Sequence, residues 1–474
     1  MLKTLSTLIV SVFLLSSLAA QDEWDLEKCI RYAWENSLSI KQLGLDYQSG
    51  EIIQKTATQA KYPNLTGSGG AQLNFGRSLD PTTDAFSTQS FFSNSYSLNT
   101  GVTLFNGFRI RNQLKQSGLN LEAAEKDIDQ ARRDIALDVA SSYLRAILAK
   151  ENMATVQFSI NLSTEQLTQI DKLIAAGARP RNERLDILAQ LSLNEQDFIS
   201  AQNNLNISML NLKQLMNYDV EKELTLVIPD ENVITLFSDP DKLTFREVYS
   251  KAVENQPNIE AGQIRLLSSE MDVDIAKSAL YPSIFAGGSI GTNYSNKGQR
   301  VDGIEEIINN TPAQIDGEAV IIGFPSSSLI TSKNPYFNQI NENLFYGVGL
   351  NVNVPIYNNY QAKSSVEQAK LNVLRARTLN EQQLQLLKTS VQQALAEAQT
   401  AKKALEVSKT TVEAQEAAFD NAEKRFELGA INTFDYIQAK NQFDSASIRA
   451  LLAKYDYIFK VKILDFYLGN PLTL

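Results

Sequence analysis

The sequence contains no histidine and a single cysteine, Cys29. The first absence removes imidazole general bases, Ser-His and Cys-His nucleophilic pairs and histidine metal ligands. The second removes an intramolecular disulfide, a thiolate zinc site and a Cys-ligated cluster within one chain. Prolines number only 12 in 474 residues, which leaves room for long uninterrupted helices. Basic residues are outnumbered 44 to 54, for a net charge of -10, and that balance speaks against a nucleic-acid partner. Past Ala20 no apolar run is long enough for a transmembrane helix, so entry into a membrane would require a β-barrel. With 43% hydrophobic and 21% charged residues, the chain is expected to fold.

The first residues read as an export signal. Lys3 supplies the positive charge, Leu8 to Leu18 is apolar with some serine, and the small residues Ala19 and Ala20 follow. Residues 1–20 therefore match a cleavable secretory signal peptide, leaving Gln21 first. The alternative, an N-terminal membrane anchor, needs an apolar run of about 20 residues. Cys29 lies well past the cleavage site in a helical pattern and reads as a small buried hydrophobe.

The chain is written twice. A shift of 219 residues aligns 26–63 with the second half without a gap. Ala33, Glu35, Asn36 and Ile40 then meet Ala252, Glu254, Asn255 and Ile259, and Tyr62-Pro63 meets Tyr281-Pro282. At another offset Val102, Phe105-Asn106 and Phe108 meet Val354, Tyr357-Asn358 and Tyr360. After the signal this predicts two structural repeats, 21–242 and 243–474, joined within 218–242. Each copy reads as a helix (26–61, 245–280), two strands, a long helix (107–176, 359–428), a tight turn and a last helix (183–217, 433–468). Helices of that length need a bundle or coiled coil to bury a face. Leu121, Ile128 and Ile135 recur every seven residues, as coiled-coil packing requires.

The strands, expected at about 62–76, 94–105, 281–295 and 344–357, alternate. Tyr96, Leu98, Thr100, Val102 and Leu104 fall on one face, with Ser95, Ser97, Asn99, Gly101 and Thr103 on the other. Tyr346, Val348, Leu350, Val352 and Val354 alternate with Gly347, Gly349, Asn351 and Asn353. This suits a water-filled membrane barrel, and it suits a two-sided sheet on a soluble core equally well. The export signal favours the barrel. Four strands leave two edges open, and unpaired backbone groups in lipid cost several kcal/mol each. A barrel must then be shared among copies, most simply with cyclic symmetry. The polar segments 78–93 and 295–343 read as surface loops.

Several stretches together resemble the TolC-like outer-membrane efflux protein family. They are Trp24-Asp25-Leu26-Glu27 leading to Ala33 and Asn36, the Tyr-Pro of each half, Phe105-Asn106-Gly107, and Pro355-Ile356-Tyr357-Asn358. The segment Arg425-Phe426-Glu427-Leu428-Gly429, continuing to Phe434-Asp435 and Ala439, is similar to the family's periplasmic helical turn. The resemblance spans nearly all of residues 24–468. It implies a mostly α fold with β: a homotrimer whose four strands per chain make a 12-stranded β-barrel, continued by a long periplasmic α-helical barrel. It implies a passive outer-membrane exit duct of a tripartite efflux or type I secretion system. The partners would be a periplasmic adaptor (membrane fusion) protein and an inner-membrane pump, with no cofactor, metal or catalysis. The other reading is a soluble exported coiled-coil scaffold or adhesin. Gly177 and Gly429 suit left-handed helix ends. Asp435 resembles the aspartate of the tunnel mouth, where three copies would make a carboxylate ring; a helix cap explains it as well. Gln438 stands where members can carry a second aspartate, and Phe426 where members can carry a tyrosine that latches the closed state. Arg179, Arg181 and Arg184 crowd the first turn, as tip contacts for acidic groups or an adaptor, or as plain surface charge.

Overall fold

The computed structural model describes residues 23–79, 84, 86, 87, 90–229, 239–315 and 317–472. The expected signal peptide, residues 1–20, and part of the join at 218–242 lie outside them. In chain order the elements are β1 (Glu23–Trp24), α1 (Leu26–Asn36), α2 (Leu38–Gln59), β2 (Asn64–Asn74), β3 (Ser78–Leu79), β4 (Phe86–Ser87), β5 (Phe91–Asn106), α3 (Arg109–Ala175), α4 (Glu183–Met216) and β6 (Thr225–Leu226). There follow α5 (Phe245–Asn255), α6 (Pro257–Lys277), β7 (Ser283–Ser295), β8 (Gln299–Ile315), β9 (Glu318–Lys333), α7 (Tyr336–Glu342), β10 (Phe345–Asn353), α8 (Gln361–Glu427) and α9 (Thr433–Leu468).

The opening helix of each half, expected to be continuous, is broken in two. Ser37 and Gln256 stand at equivalent places and both are extended, with ψ of 126° and 110°. Before Pro257 the cause is steric, since the proline ring disfavours a helical residue in front of it. Ser37 has no such neighbour. It ends α1 through its amide, which donates to Ala33 O at 2.8 Å. Its Oγ accepts from Ile40 N at 3.4 Å, in the manner of a cap for α2. The long helices α3 and α8 are each 67 residues.

The segment 295–343, expected to be a loop, is mostly ordered secondary structure. It holds the antiparallel ribbon β8–β9, whose register runs from Gln299↔Lys333 to Ile315↔Glu318, and then α7. Ile307, Ile308, Val320, Ile321 and Ile322 supply the β-branched residues that such strands favour. Those residues sit in stretches without charge, between Glu306 and the turn and between Glu318 and Lys333. In the sequence the Asp, Asn, Gly and Pro content of the segment masks that pattern.

The described residues form two compact units. One takes the chain up to Ile52, Leu119–Ser268 and Val373 onward; the other takes Ile53–Gly118 and Ser269–Asn372. Each draws on both halves of the sequence.

In the helical unit, Asp25 caps α1 by accepting from Lys28 N at 2.7 Å. The buried residues Leu26, Cys29, Ile30 and Ala33 recur at helical spacing. They pack with Val139, Tyr143 and Ile147 of α3, Leu212 and Met216 of α4, and Tyr455 and Ile458 of α9. The Tyr143 hydroxyl donates to Val227 O at 2.6 Å, beside the short parallel pair β1–β6. A capping box between Thr244 and Glu247 starts α5. The α5 residues Val248 and Ala252 pack on Leu387, Val391, Leu395 and Leu464.

The other unit is built on an antiparallel sheet in the order β10-β7-β5-β2. Its register assigns the faces. Leu98 meets Ile290, which meets Tyr346, and Val102 meets Ala286, which meets Leu350. On the other face Ser68 meets Ser97, Thr66 meets Asn99, Asn99 meets Ser289 and Phe285 meets Asn351. None of the four strands contains Asp, Glu, Lys or Arg. β10 and β2 are the sheet's edges. No helix among the described residues is long and apolar enough to cross a membrane.

Candidate functional site

The residues singled out in the sequence lie on two helical turns of the helical unit. The first follows α3 and the second follows α8. Both end their helix with a glycine in the left-handed region, Gly177 at φ 70° and Gly429 at φ 73°. In the first turn Gly177 N donates to Ile174 O at 3.0 Å and Ala178 N to Leu173 O at 2.8 Å. In the second, Gly429 N donates to Phe426 O at 3.0 Å and Ala430 N to Arg425 O at 2.8 Å. This is the Schellman pairing of a helix C-terminus, made twice with the same offsets.

A small apolar core holds the turns together. Ile170 and Ile187 of the first pack with Phe419, Phe426 and Tyr436 of the second. The rings of Phe426 and Tyr436 stack at 4.8 Å. Arg179 then crosses between the turns. Its Nη2 donates to Phe426 O at 3.0 Å and to Ile431 O at 3.2 Å. Its guanidinium lies over the Phe426 ring at 4.9 Å, and its Nη1 faces Glu183 Oε2 at 3.5 Å. The same Glu183 oxygen accepts from Thr433 Oγ1 at 2.7 Å. One arginine thus bonds two carbonyls of the second turn, that of Phe426 as a second donor beside Gly429 N, with its charge met by a carboxylate of the first.

The structure therefore brings together Arg179, Phe426 and Gly429. Arg179 is no solvated surface charge. Arg184 turns back to Asp171 of α3 at 2.8 Å, and Arg181 is exposed. Asp435 and Gln438 are exposed as well. Gln438 lines an open groove of about 620 Å3 with Phe434, Ile437, Asn441, Thr411 and Arg449. The cap of α9 is not Asp435 but Asn432, whose Oδ1 accepts from Asp435 N at 2.8 Å. Asn432 holds the cap position, and Asp435 sits one turn in, its carboxylate not used for capping.

Three participants escaped the sequence reading. Glu183 and Thr433 join the turns, and Tyr436 is buried with its hydroxyl unpartnered. Burial, and then the negative charge of Glu423, pushes the Tyr436 hydroxyl well above its usual range. Glu423 is itself raised, by burial first and then by Glu427 and Asp420. One cue was available in the sequence: Glu183 and Asp435 each lie six residues past a turn glycine. No group of acidic or cysteine side chains suited to a metal ion occurs among the described residues.

The family model of the outer membrane efflux proteins matches residues 30–218 and 248–470. No curated protein matches the sequence. Among solved structures the fold is similar to CusC, described as forming a transmembrane channel, with a TM-score of 0.76 at 15% identity over 95% of this chain and 93% of that one. It is similar to the CmeC outer membrane channel of Campylobacter jejuni, with a TM-score of 0.74 at 17% identity over 94% and 86%. It is similar also to the outer membrane protein VceC of Vibrio cholerae, with a TM-score of 0.72 at 14% identity over 94% and 96%.

Proposed function

This chain belongs to the outer membrane efflux protein family, and on that premise we propose that three copies assemble into a passive exit duct. Each copy contributes four strands to a 12-stranded barrel in the outer membrane, and its helices to a hollow passage through the periplasm. The halves 21–242 and 243–474 are two copies of one helix-strand-strand-helix unit. An inner-membrane pump supplies the energy, and a periplasmic adaptor joins pump to duct. The chain performs no catalysis and uses no cofactor.

One observation supports this reading above the others. The sheet has one apolar face, a second face of serine, threonine, asparagine, glycine and Gln72 with Phe91, Phe285 and Phe345, no acidic or basic side chain, and two open edges at β10 and β2. Such a sheet suits lipid on one side and water on the other, and in lipid its edges must be paired. Pairing β10 of one copy with β2 of the next closes the ring without a new element.

At the periplasmic end, Asp435 supplies the carboxylate ring of the mouth, with Gln438 beside it making that ring less acidic than a double-aspartate one. Phe426 and Gly429 set the position of the second turn. Gly177 and Arg179 shape the first turn and hold the second, which leaves the exposed Arg181 and the half-exposed Arg184 as adaptor contacts. Purified protein is expected to run as a trimer and to conduct ions in planar bilayers. A well-behaved monomer without conductance would reject the proposal.

A further inference from the structure

The helical unit contains a pocket that the duct reading leaves without a role. It measures about 550 Å3 and lies between α1, the middle of α3 and the end of α9, within the range of small-molecule sites. Ile30, Trp34, Phe466 and Leu472 give it apolar walls, while Arg31, Arg133 and Glu27 also line it. The Trp34 indole is held in place, since its Nε1 donates to Arg132 O at 2.7 Å.

Arg133 is the unusual member. It is half-buried, and its two terminal nitrogens donate to Asn255 O and Phe466 O, both at 2.5 Å. Its guanidinium also lies over the Phe466 ring at 5.0 Å. Two carbonyls and a ring face contact it, and Asp134, its neighbour in the chain, supplies a nearby negative charge, but among the described residues neither Arg133 nor Arg31 forms an ion pair. Burial works against the charged form of Arg133 and pulls its pKa down. A half-buried cation with no ion-pair partner, with a second arginine beside it and apolar walls around it, is the complement of an anion carrying an apolar body.

We propose that this pocket binds a small organic carboxylate, with the carboxylate set against Arg133 and Arg31 and an aromatic or aliphatic body against Trp34, Ile30 and Phe466. The inference does not depend on the duct or on the trimer, because every residue in it belongs to one chain.

The chain has two tryptophans. Trp24 is buried in the core, and Trp34 lines the pocket. The probe is 4-iodobenzoate, whose iodine quenches indole fluorescence on contact, compared with the neutral 4-iodobenzyl alcohol and the cationic 4-iodobenzylamine. Quenching by the benzoate should saturate, and the saturable part should vanish in Trp34→Phe. Affinity for the alcohol and the amine should be lower by about tenfold or more. Arg133→Lys should weaken the benzoate by a similar factor, with circular dichroism as the control for folding. Should that variant fail to fold, the exposed Arg31→Gln keeps the question open to test, with a loss of at least about threefold expected. Three results would overturn the proposal. They are linear, unsaturable quenching, equal affinity for the three probes, and a benzoate affinity unchanged in every folded arginine variant.

Discussion

The two helical turns are the same backbone made twice and put to different use. Each ends a 67-residue helix on a left-handed glycine with the same pair of hydrogen bonds. The side chains at matching positions differ. Two residues past the glycine stand Arg179 and Ile431; six past it stand Glu183 and Asp435; six before it stand Asp171 and Glu423. The first turn has its charges paired, Glu183 with Arg179 and, across to the second turn, with Thr433, and Asp171 with Arg184. The second leaves Asp435 exposed and gathers Glu423 near Glu427 and Asp420. The two turns share a shape and differ in their charges: the first braces the second, and the second leaves a carboxylate exposed.

The sharpest way to break this comparison is at Arg179. Arg179→Ala removes two hydrogen bonds to carbonyls, the contact with the Phe426 ring and the partner of a half-buried Glu183. A loss of about 2–4 kcal/mol is expected, read as a lower midpoint of thermal unfolding. The matching change, Ile431→Ala, removes only apolar contact and should cost about 1–2 kcal/mol. Equal losses would mean that Arg179 braces nothing.

The glycines sharpen the shared part. A Cβ at Gly177 meets nothing within 4 Å, and at Gly429 it meets only Arg179 Nη2 at 4.0 Å. Space is therefore no obstacle, and the cost of Gly177→Ala or Gly429→Ala is the left-handed backbone alone, about 1 kcal/mol in either case. Thermal unfolding of the two variants should shift equally. A clearly larger loss at one glycine would show that the turns are not backbone equivalents.

These turns also mark where the sequence was legible and where it was not. Gly177 and Gly429 could be placed because a left-handed residue after a long helix has few alternatives. The last helix was bounded correctly at Thr433 and Leu468 because Asn432 and Gly469 cap it on either side. The sheet faces were legible because strand alternation has a period of two, and the register agrees with it. Two kinds of feature stayed hidden. One was a break with no proline behind it, at Ser37. The other was contact between distant residues: nothing near Arg179 in the chain announces a bond to the carbonyl of Phe426, and nothing near Thr433 announces Glu183. The ribbon β8–β9 was missed for a third reason, since its loop-like composition outweighed its β-branched pattern.

The smallest expected effect on stability is the one with most to say about function. Asp435→Asn keeps the Asn432 cap, because that bond uses the Asp435 backbone amide. It loses only the attraction of a carboxylate for a helix N-terminus, under about 1 kcal/mol. In Glu183→Gln the ion pair with Arg179 goes instead, and the loss should be larger, about 1–3 kcal/mol. Conductance should rank the two in the opposite order. If three copies set Asp435 around the mouth, Asp435→Asn weakens block by a trivalent cation such as La3+ by about tenfold or more. Glu183→Gln leaves that block unchanged, because its carboxylate is already held by Arg179 and Thr433. Equal block in the two variants would place both acids outside the path of the ions, and the division of labour between the turns would reduce to a difference in stability.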